Sequence, residues 1–245
     1  MKYYRLEVLK DNYIWLLVKG NNAIAIDCGE EHNLLNFITQ NKLNLNYILI
    51  THHHSDHIAG LLKVKEATNA KIIGSAKTAE LIANNTVDHI ITAEEDLNLN
   101  GTVVSPIFTE GHSEGHVVYF LPQRKWLFSG DTLFTLACGR AFYNMELLFN
   151  SLQKIVQEVP KESLVFPGHN YLENNLKFLE YINYFNFRAK NSYFNSIAIP
   201  NTLANELYYN PFLNANNKEF KSFMRQEDLS DFAFFSYLRK LKDSF

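Results

Sequence analysis

The sequence predicts an α/β fold: sheets covered by helices through about residue 170, then a smaller helical region. Three observations carry this expectation. Short apolar runs alternate with helix-spaced stretches as far as His169. Beyond it no clear strand pattern recurs. The chain has 245 residues and is 47% hydrophobic, enough for one large core, or one large and one small.

Residues 3–9 and 12–18 read as two strands with a turn at Asp11-Asn12, and 23–26 as a third. Leu34, Leu35, Phe37 and Ile38 give 31–41 helical spacing. The run Tyr47-Ile48-Leu49-Ile50 predicts a buried strand, followed by a histidine-rich loop and a helix over 58–69. A short strand at 71–74 and a helix at 76–84 come next. Strands follow at 89–92, 103–108, 117–121 and 125–129, then a helix at 146–158 and a strand at 163–166. Residues 173–191 read as one long helix, and the Phe and Tyr cluster at 181–194 is expected in the core of the small region. Residues 201–242 add helical stretches. The expected division is 1–172 and 173–245.

The net charge of −3 gives no electrostatic case for nucleic acid or an anionic membrane. Residues 1–175 carry 14 basic and 19 acidic groups, and 176–245 carry 9 and 7. A mildly basic tail suits either an anionic small molecule or an ordinary solvated surface. Cys28 and Cys138 make no disulfide framework and fit a reducing compartment. Arg5, Glu7 and Asp11 interrupt the N-terminal segment, which reads as neither a signal peptide nor a membrane span. The expected protein is a cytoplasmic monomer.

Residues 51–57, Thr-His-His-His-Ser-Asp-His, offer His52, His54, Asp56 and His57 as metal ligands. In extended chain, residues two apart point the same way, so His52 and His54 can share one ion. A turn at Ser55 can aim Asp56 and His57 at a second. Three later segments each supply a ligand after a strand and a glycine: His112 after Gly111, Asp131 after Gly130, His169 after Gly168. The expected allocation is His52, His54 and His112 on one ion and Asp56, His57 and His169 on the other. Asp131 bridges them. Imidazole and carboxylate donors suit zinc first, with iron and manganese also compatible. A water shared by the two ions would ionise near neutral pH.

This order of H-x-H-x-D-H, G-H, G-D-T and G-H resembles the metallo-β-lactamase superfamily. GDTLF followed by ACGR, GHNYLENNLKF, PNTLANELYYNPF and the opening LKDNYIWLLV resemble glyoxalase II, the hydroxyacylglutathione hydrolases, over nearly the whole chain. The resemblance implies an αββα metallo-β-lactamase sandwich with a small C-terminal helical domain. It implies hydrolysis of S-(2-hydroxyacyl)glutathione, typically S-lactoylglutathione, to glutathione and a hydroxy acid, the second step of methylglyoxal detoxification. Attack by a bridging hydroxide would be served by Asp131 and by Asp56, which also orients it. The resemblance further implies glutathione contacts at Arg140, Phe142, Tyr171, Arg239 and Lys242. There are departures. Glu110-Gly111 stands where Pro-Gly or Pro-Cys is common, and Asn170 where an acid is usual. Residues 141–144 match the family loosely, and Phe142 lacks the hydroxyl some members carry there.

The other residues have plainer readings. His53 should point away from the metals by alternation. His116 is a candidate for contact with the site, and His32 and His89 for ordinary surface or core. Asp27 either orients a ligand or caps a strand. Neither cysteine has a histidine partner that would make it a nucleophile. Competing functions are another superfamily hydrolase such as a lactonase or β-lactamase, an iron-dependent persulfide dioxygenase, and an inactive metal-binding protein.

Overall fold

Strands β1 (Lys2–Val8), β2 (Asn12–Lys19) and β3 (Asn22–Ile26) form an antiparallel meander in a computed structural model that describes residues 1–82, 86–188, 194 and 196–245. Helix α1 (His32–Gln40) leads to β4 (Asn44–Leu49), which joins β3 in parallel. Helices α2 (Ser55–Ile58) and α3 (Leu61–Thr68) lead to β5 (Lys71–Ser75), and α4 (Ala76–Leu81) to β6 (His89–Ile91). These six strands make one sheet in chain order.

The second sheet has the order β14-β13-β10-β9-β8-β7. Its strands are β7 (Leu97–Leu99), β8 (Thr102–Phe108), β9 (Val117–Leu121), β10 (Trp126–Gly130), β13 (Leu164–Pro167) and β14 (Asn201–Thr202). Between β10 and β13 lie a two-stranded ribbon, β11 (Leu133–Phe134) with β12 (Ala137–Cys138), and helix α5 (Met145–Glu158). The C-terminal helices are α6 (Leu172–Tyr181), α7 (Tyr184–Phe187), α8 (Leu203–Tyr209), α9 (Lys218–Phe223) and α10 (Asp231–Ser244).

Alternation along the central strands explains the layering. In β2, Ile14 and Leu16 join the core under α1 and α3, whereas Tyr13, Trp15 and Leu17 join the core between the sheets. In β9, Val117, Tyr119 and Leu121 face that middle core, while Val118 and Phe120 face α5 and the C-terminal helices. A strand buried on both faces reads as a continuous apolar run, and NYIWLLV and VVYFL do so. The result is helix, sheet, sheet, helix. Each buried Phe or Leu contributes about 1.5–3 kcal/mol. The outer apolar cluster joins Leu127 and Leu152 to Phe178, Phe212 and Phe234, so the helical region docks directly on the second sheet.

The structure differs from the expected elements at several points. The helix expected over 58–69 starts at Ser55 and breaks before Leu61. Gly60 lies so close to the 28–31 loop that a Cβ there would fall 2.5 Å from the Glu30 carbonyl carbon. The long helix expected over 173–191 divides at Asn183, whose φ of 53° interrupts it. Residues 83–84 and 189–191 of the expected helices lie outside the described residues, as do 189–193 of the aromatic cluster. Within that cluster Tyr184 and Phe194 are buried in the outer core, as expected, and Tyr181 is exposed. Strands β7, β11, β12 and β14 were not expected. They are two or three residues long, too short for alternation to register. β14 also places a strand in the region expected to be wholly helical, pairing antiparallel with β13.

Candidate metal centre and substrate cleft

The loops after β4, β8, β10 and β13 meet at one end of the two sheets. Cross-sheet hydrogen bonds fix them there. The Tyr119 hydroxyl donates to the Ile50 carbonyl at 2.7 Å, and the Val117 N–H to the Thr51 carbonyl at 2.9 Å. The Tyr13 N–H reaches the Gly168 carbonyl at 2.8 Å, and the Trp15 indole reaches that of Pro167 at 2.8 Å. Glycine is required at 168, where a Cβ would lie 2.5 Å from Asp131 Oδ1.

All seven expected ligands converge. On one side His52 Nε2 and His112 Nε2 each lie 3.0 Å from His54 Nδ1. On the other, His57 Nε2 and His169 Nε2 are 3.1 Å apart, and Asp56 Oδ2 lies 3.7 and 3.4 Å from them. Asp131 stands between. Its Oδ2 is 3.6 Å from His112 Nε2 and 3.3 Å from His169 Nε2, and its Oδ1 is 3.4 Å from His57 Nε2. Two three-residue groups, His52-His54-His112 and Asp56-His57-His169, each gather their ligand atoms within 4.8 Å. His52, His57 and Asp131 form a third such group that links them.

Outer partners settle which nitrogen faces inward for four of the five rings. Thr51 Oγ1 donates to Asp27 Oδ2 at 2.8 Å, so it accepts from His52 Nδ1 at 2.9 Å and leaves a lone pair on Nε2. Asp27 also takes His57 Nδ1 at 2.8 Å, Asp11 takes His169 Nδ1 at 2.8 Å, and the Arg140 carbonyl takes His112 Nδ1 at 2.9 Å. The Asn12 amide donates to Asp56 Oδ2 at 2.9 Å. His52, His57, His112 and His169 are therefore held from behind through Nδ1 and turn Nε2 toward the centre, whereas His54 turns Nδ1 inward. In the neutral His52-His54-His112 group, ring nitrogens crowd together at 3.0 Å in a way that a cation between them would relieve. Asp131 Oδ1 is buried without a hydrogen-bond partner, which costs about 1–3 kcal/mol if nothing binds it. The donor set fits two divalent cations.

Charges in the cluster bear this out. Burial works against charge on His169, but Asp131, Asp56 and Asp11 outweigh it and push its pKa up to about 11. Burial, helped by the neighbouring His112, pushes His54 down to about 4. Burial opposes ionisation of Asp131, yet His57 and His169 hold it well below the usual carboxylate range. At the Asp56-His57-His169 group the raised pKa values of His57 and His169 favour extra protons without metal, so metal uptake there should release protons.

A cleft of about 310 Å³ opens from this centre, lined by His112 and Asp131 together with Arg140, Phe142, Tyr171, Arg239 and Lys242. Tyr171 stacks on His169 at 4.7 Å, and Phe142 sets its edge against His54 and His112 at 5.7 and 5.5 Å. The three cations differ in availability. Arg239 is 3% exposed and already donates to the carbonyls of Cys138 (2.8 Å) and Gly139 (3.4 Å) and to Asp243 (3.1 Å). Arg140 donates to the same Asp243 oxygen at 3.0 Å. Lys242 Nζ is buried over the Phe178 ring without a hydrogen-bond partner.

Residues 9–169 match the metallo-beta-lactamase superfamily, and residues 170–245 match the hydroxyacylglutathione hydrolase C-terminus. The hydroxyacylglutathione hydrolase of Haemophilus ducreyi is 34% identical over 239 residues, covering 93% of this chain and 99% of that one. The chain belongs to the hydroxyacylglutathione hydrolases of the metallo-beta-lactamase superfamily. Among solved structures, the B3 metallo-beta-lactamase BLEG-1 is similar at a TM-score of 0.68 and 22% identity, over 86% of this chain and 99% of that one. The di-iron-bound form of TTHA1623 is similar at a TM-score of 0.62 and 25% identity, over 87% and 100%.

Within this family frame the remaining residues fall into place. His53 is half-buried and outside every ligand group; His32 and His89 are exposed. His116 accepts the Asp131 N–H at 3.2 Å and stacks on His52, so it braces the site from behind. Asp27 orients ligands rather than merely ending a strand. Both cysteine thiols are buried; burial pushes Cys138 up to about 11 and Cys28 higher still. Neither is poised as a nucleophile. Glu110 closes its own loop on the Gly115 N–H at 2.9 Å, and Asn170 is exposed. Sequence reasoning missed Asp11, Asn12, Thr51 and Asp243. The first two sat in the motif LKDNYIWLLV but were read as a turn.

Proposed function

We propose that this chain hydrolyses S-(2-hydroxyacyl)glutathione thioesters, such as S-lactoylglutathione, to glutathione and a 2-hydroxy acid, as the second step of methylglyoxal detoxification. One observation carries the reading: the ligand cluster opens into a cleft that Arg239 and Lys242 of α10 also line. Residues 1–172 would hold the metals and 173–245 much of the glutathione. Zinc is the expected metal, with iron or manganese compatible with the same donors. His52, His54 and His112 would hold one ion, Asp56, His57 and His169 the other, and Asp131 both. Bound there, the ions would supply Lewis acidity and bring water near ionisation at neutral pH.

The chain's own residues do the rest. Asp131 ties the two ligand sets into one rigid unit. Asp56, oriented by the Asn12 amide, is partly exposed and would hold its ion while orienting the attacking water. Phe142 and Tyr171 pack on the ligand histidines and flank the place where the thioester would lie. Lys242 pairs with a glutathione carboxylate. Thiolate is a good leaving group, so no protein acid is required. Among the described residues no helix is long and apolar enough to cross a membrane. We propose a cytoplasmic monomer.

The test compares loss of thioester absorbance for S-lactoylglutathione with oxygen uptake on glutathione persulfide. Thioester turnover without oxygen uptake is expected. Oxygen uptake would favour a persulfide dioxygenase. Slow, equal cleavage of thioesters with and without glutathione would favour another hydrolase, and no turnover an inactive metal protein.

A further inference from the structure

Glu206 of α8 is fully buried and takes no part in the chemistry above. Its three hydrogen-bond partners are all neutral donors: the Leu136 N–H at 2.8 Å, Asn201 Nδ2 at 2.6 Å and Asn210 Nδ2 at 3.0 Å. A buried carboxyl without a cation is expensive, and burial pushes its pKa up to about 7. A simple core position would be better filled by Leu or Met. The partners indicate what the carboxylate does. Leu136 turns the β11–β12 ribbon with φ at 62°, a conformation a leucine rarely adopts. Asn210 also donates to the Ala137 carbonyl at 3.0 Å, gripping the same turn.

The ribbon feeds the site directly. The carbonyls of Cys138 and Gly139 receive Arg239, and that of Arg140 receives His112 Nδ1. A shift of the turn would move all three.

We propose that Glu206 is a positioning residue for substrate recognition: from the helical region it clamps the β11–β12 turn, and through it sets where Arg239 and Arg140 stand in the cleft. This rests on the reading of the cleft as a glutathione site. It assigns the motif PNTLANELYYNPF a role, since Asn201, Glu206 and Asn210 are its buried polar members.

The test uses the metal-loaded protein and S-methylglutathione, a thioether that cannot be cleaved, with binding read by calorimetry. Glu206→Met keeps the volume and removes every acceptor. It should weaken binding about tenfold or more, the loss of roughly one hydrogen bond, read on protein brought to full metal occupancy because the same turn orients His112. Glu206→Gln keeps one acceptor oxygen for Leu136 and Asn210 and should recover most of that affinity. In wild type, S-methylglutathione should slow hydrogen exchange at the Leu136 amide, because a grip that depends on the turn must in return order it. Equal binding by Glu206→Met and wild type overturns the proposal. So does Leu136 exchange that ignores the probe, and this measurement decides alone if Glu206→Met does not fold. Failure of wild type to bind S-methylglutathione overturns the substrate reading and this role with it; wild-type binding that Glu206→Met retains overturns this role only.

Discussion

Lys242 is the most exacting test of the substrate half of the account. Its ammonium lies over Phe178 with no hydrogen-bond partner, while Arg239 and Arg140 are engaged by protein oxygens. Burial, and then the Arg239 charge, lower its pKa to about 8. At pH 7 roughly nine molecules in ten still carry the charge, since one pKa unit is a factor of ten. A glutathione carboxylate paired with it should contribute about 1.5–3 kcal/mol, or roughly ten- to a hundredfold in affinity. Lys242→Met should therefore raise KM by about that factor and leave kcat nearly unchanged, because the contact is remote from the scissile bond. Wild-type KM should rise as pH climbs through about 8 and the ammonium is lost, and this limb should be absent from the variant. Stability should move the other way. The folded pKa lies below the unfolded value of about 10.5, so protonated Lys242 opposes folding fully below about pH 8 and not at all above about 10.5. Lys242→Met should melt no lower than wild type at pH 7. Steady-state kinetics from pH 6 to 10 with melting curves would check both; an unchanged KM, or a pH limb that survives the substitution, refutes the reasoning.

Three further outcomes are expected. Arg239→Ala should lose roughly ten- to a hundredfold in kcat/KM. Because Arg239 braces Cys138 and Gly139, kcat should fall along with the rise in KM, and initial rates across substrate concentration would separate the two. Asp27→Asn should weaken metal affinity about 10–100-fold by disturbing His57 and, through Thr51, His52; competition with a chromogenic chelator measures this. Cys28→Ala and Cys138→Ala should each keep most of the activity, apart from some packing loss. A drop of several orders in either, with metals retained, would indicate cysteine catalysis.

The ligand set was legible because it is local. Four ligands fall within six residues, and the other three follow glycines at strand ends. Sheets covered by helices were legible because apolar runs alternate with helix-spaced stretches; the four-layer order came from the family resemblance, and β2 and β9, apolar on both faces, show why it holds. The cleft was only partly legible. Arg239 and Lys242 could be placed on one helix face by spacing, but not that Arg239 is bound to carbonyls 100 residues away or that Lys242 is left over. Asp11 and Asn12 look like turn residues by type, and only tertiary contact with His169 and Asp56 gives them a role. The ribbon and β14 escaped because two-residue strands have no period. The break at Asn183 escaped because asparagine enters helices and left-handed turns alike.

The most direct test of a dinuclear thioester hydrolase is a metal titration of the depleted protein, with S-lactoylglutathione turnover followed at each addition. Activity should saturate at two equivalents per chain, and Asp131→Ala should bind at most one and turn over almost nothing. Saturation at one equivalent, or full occupancy of the Asp131→Ala variant, would contradict the account.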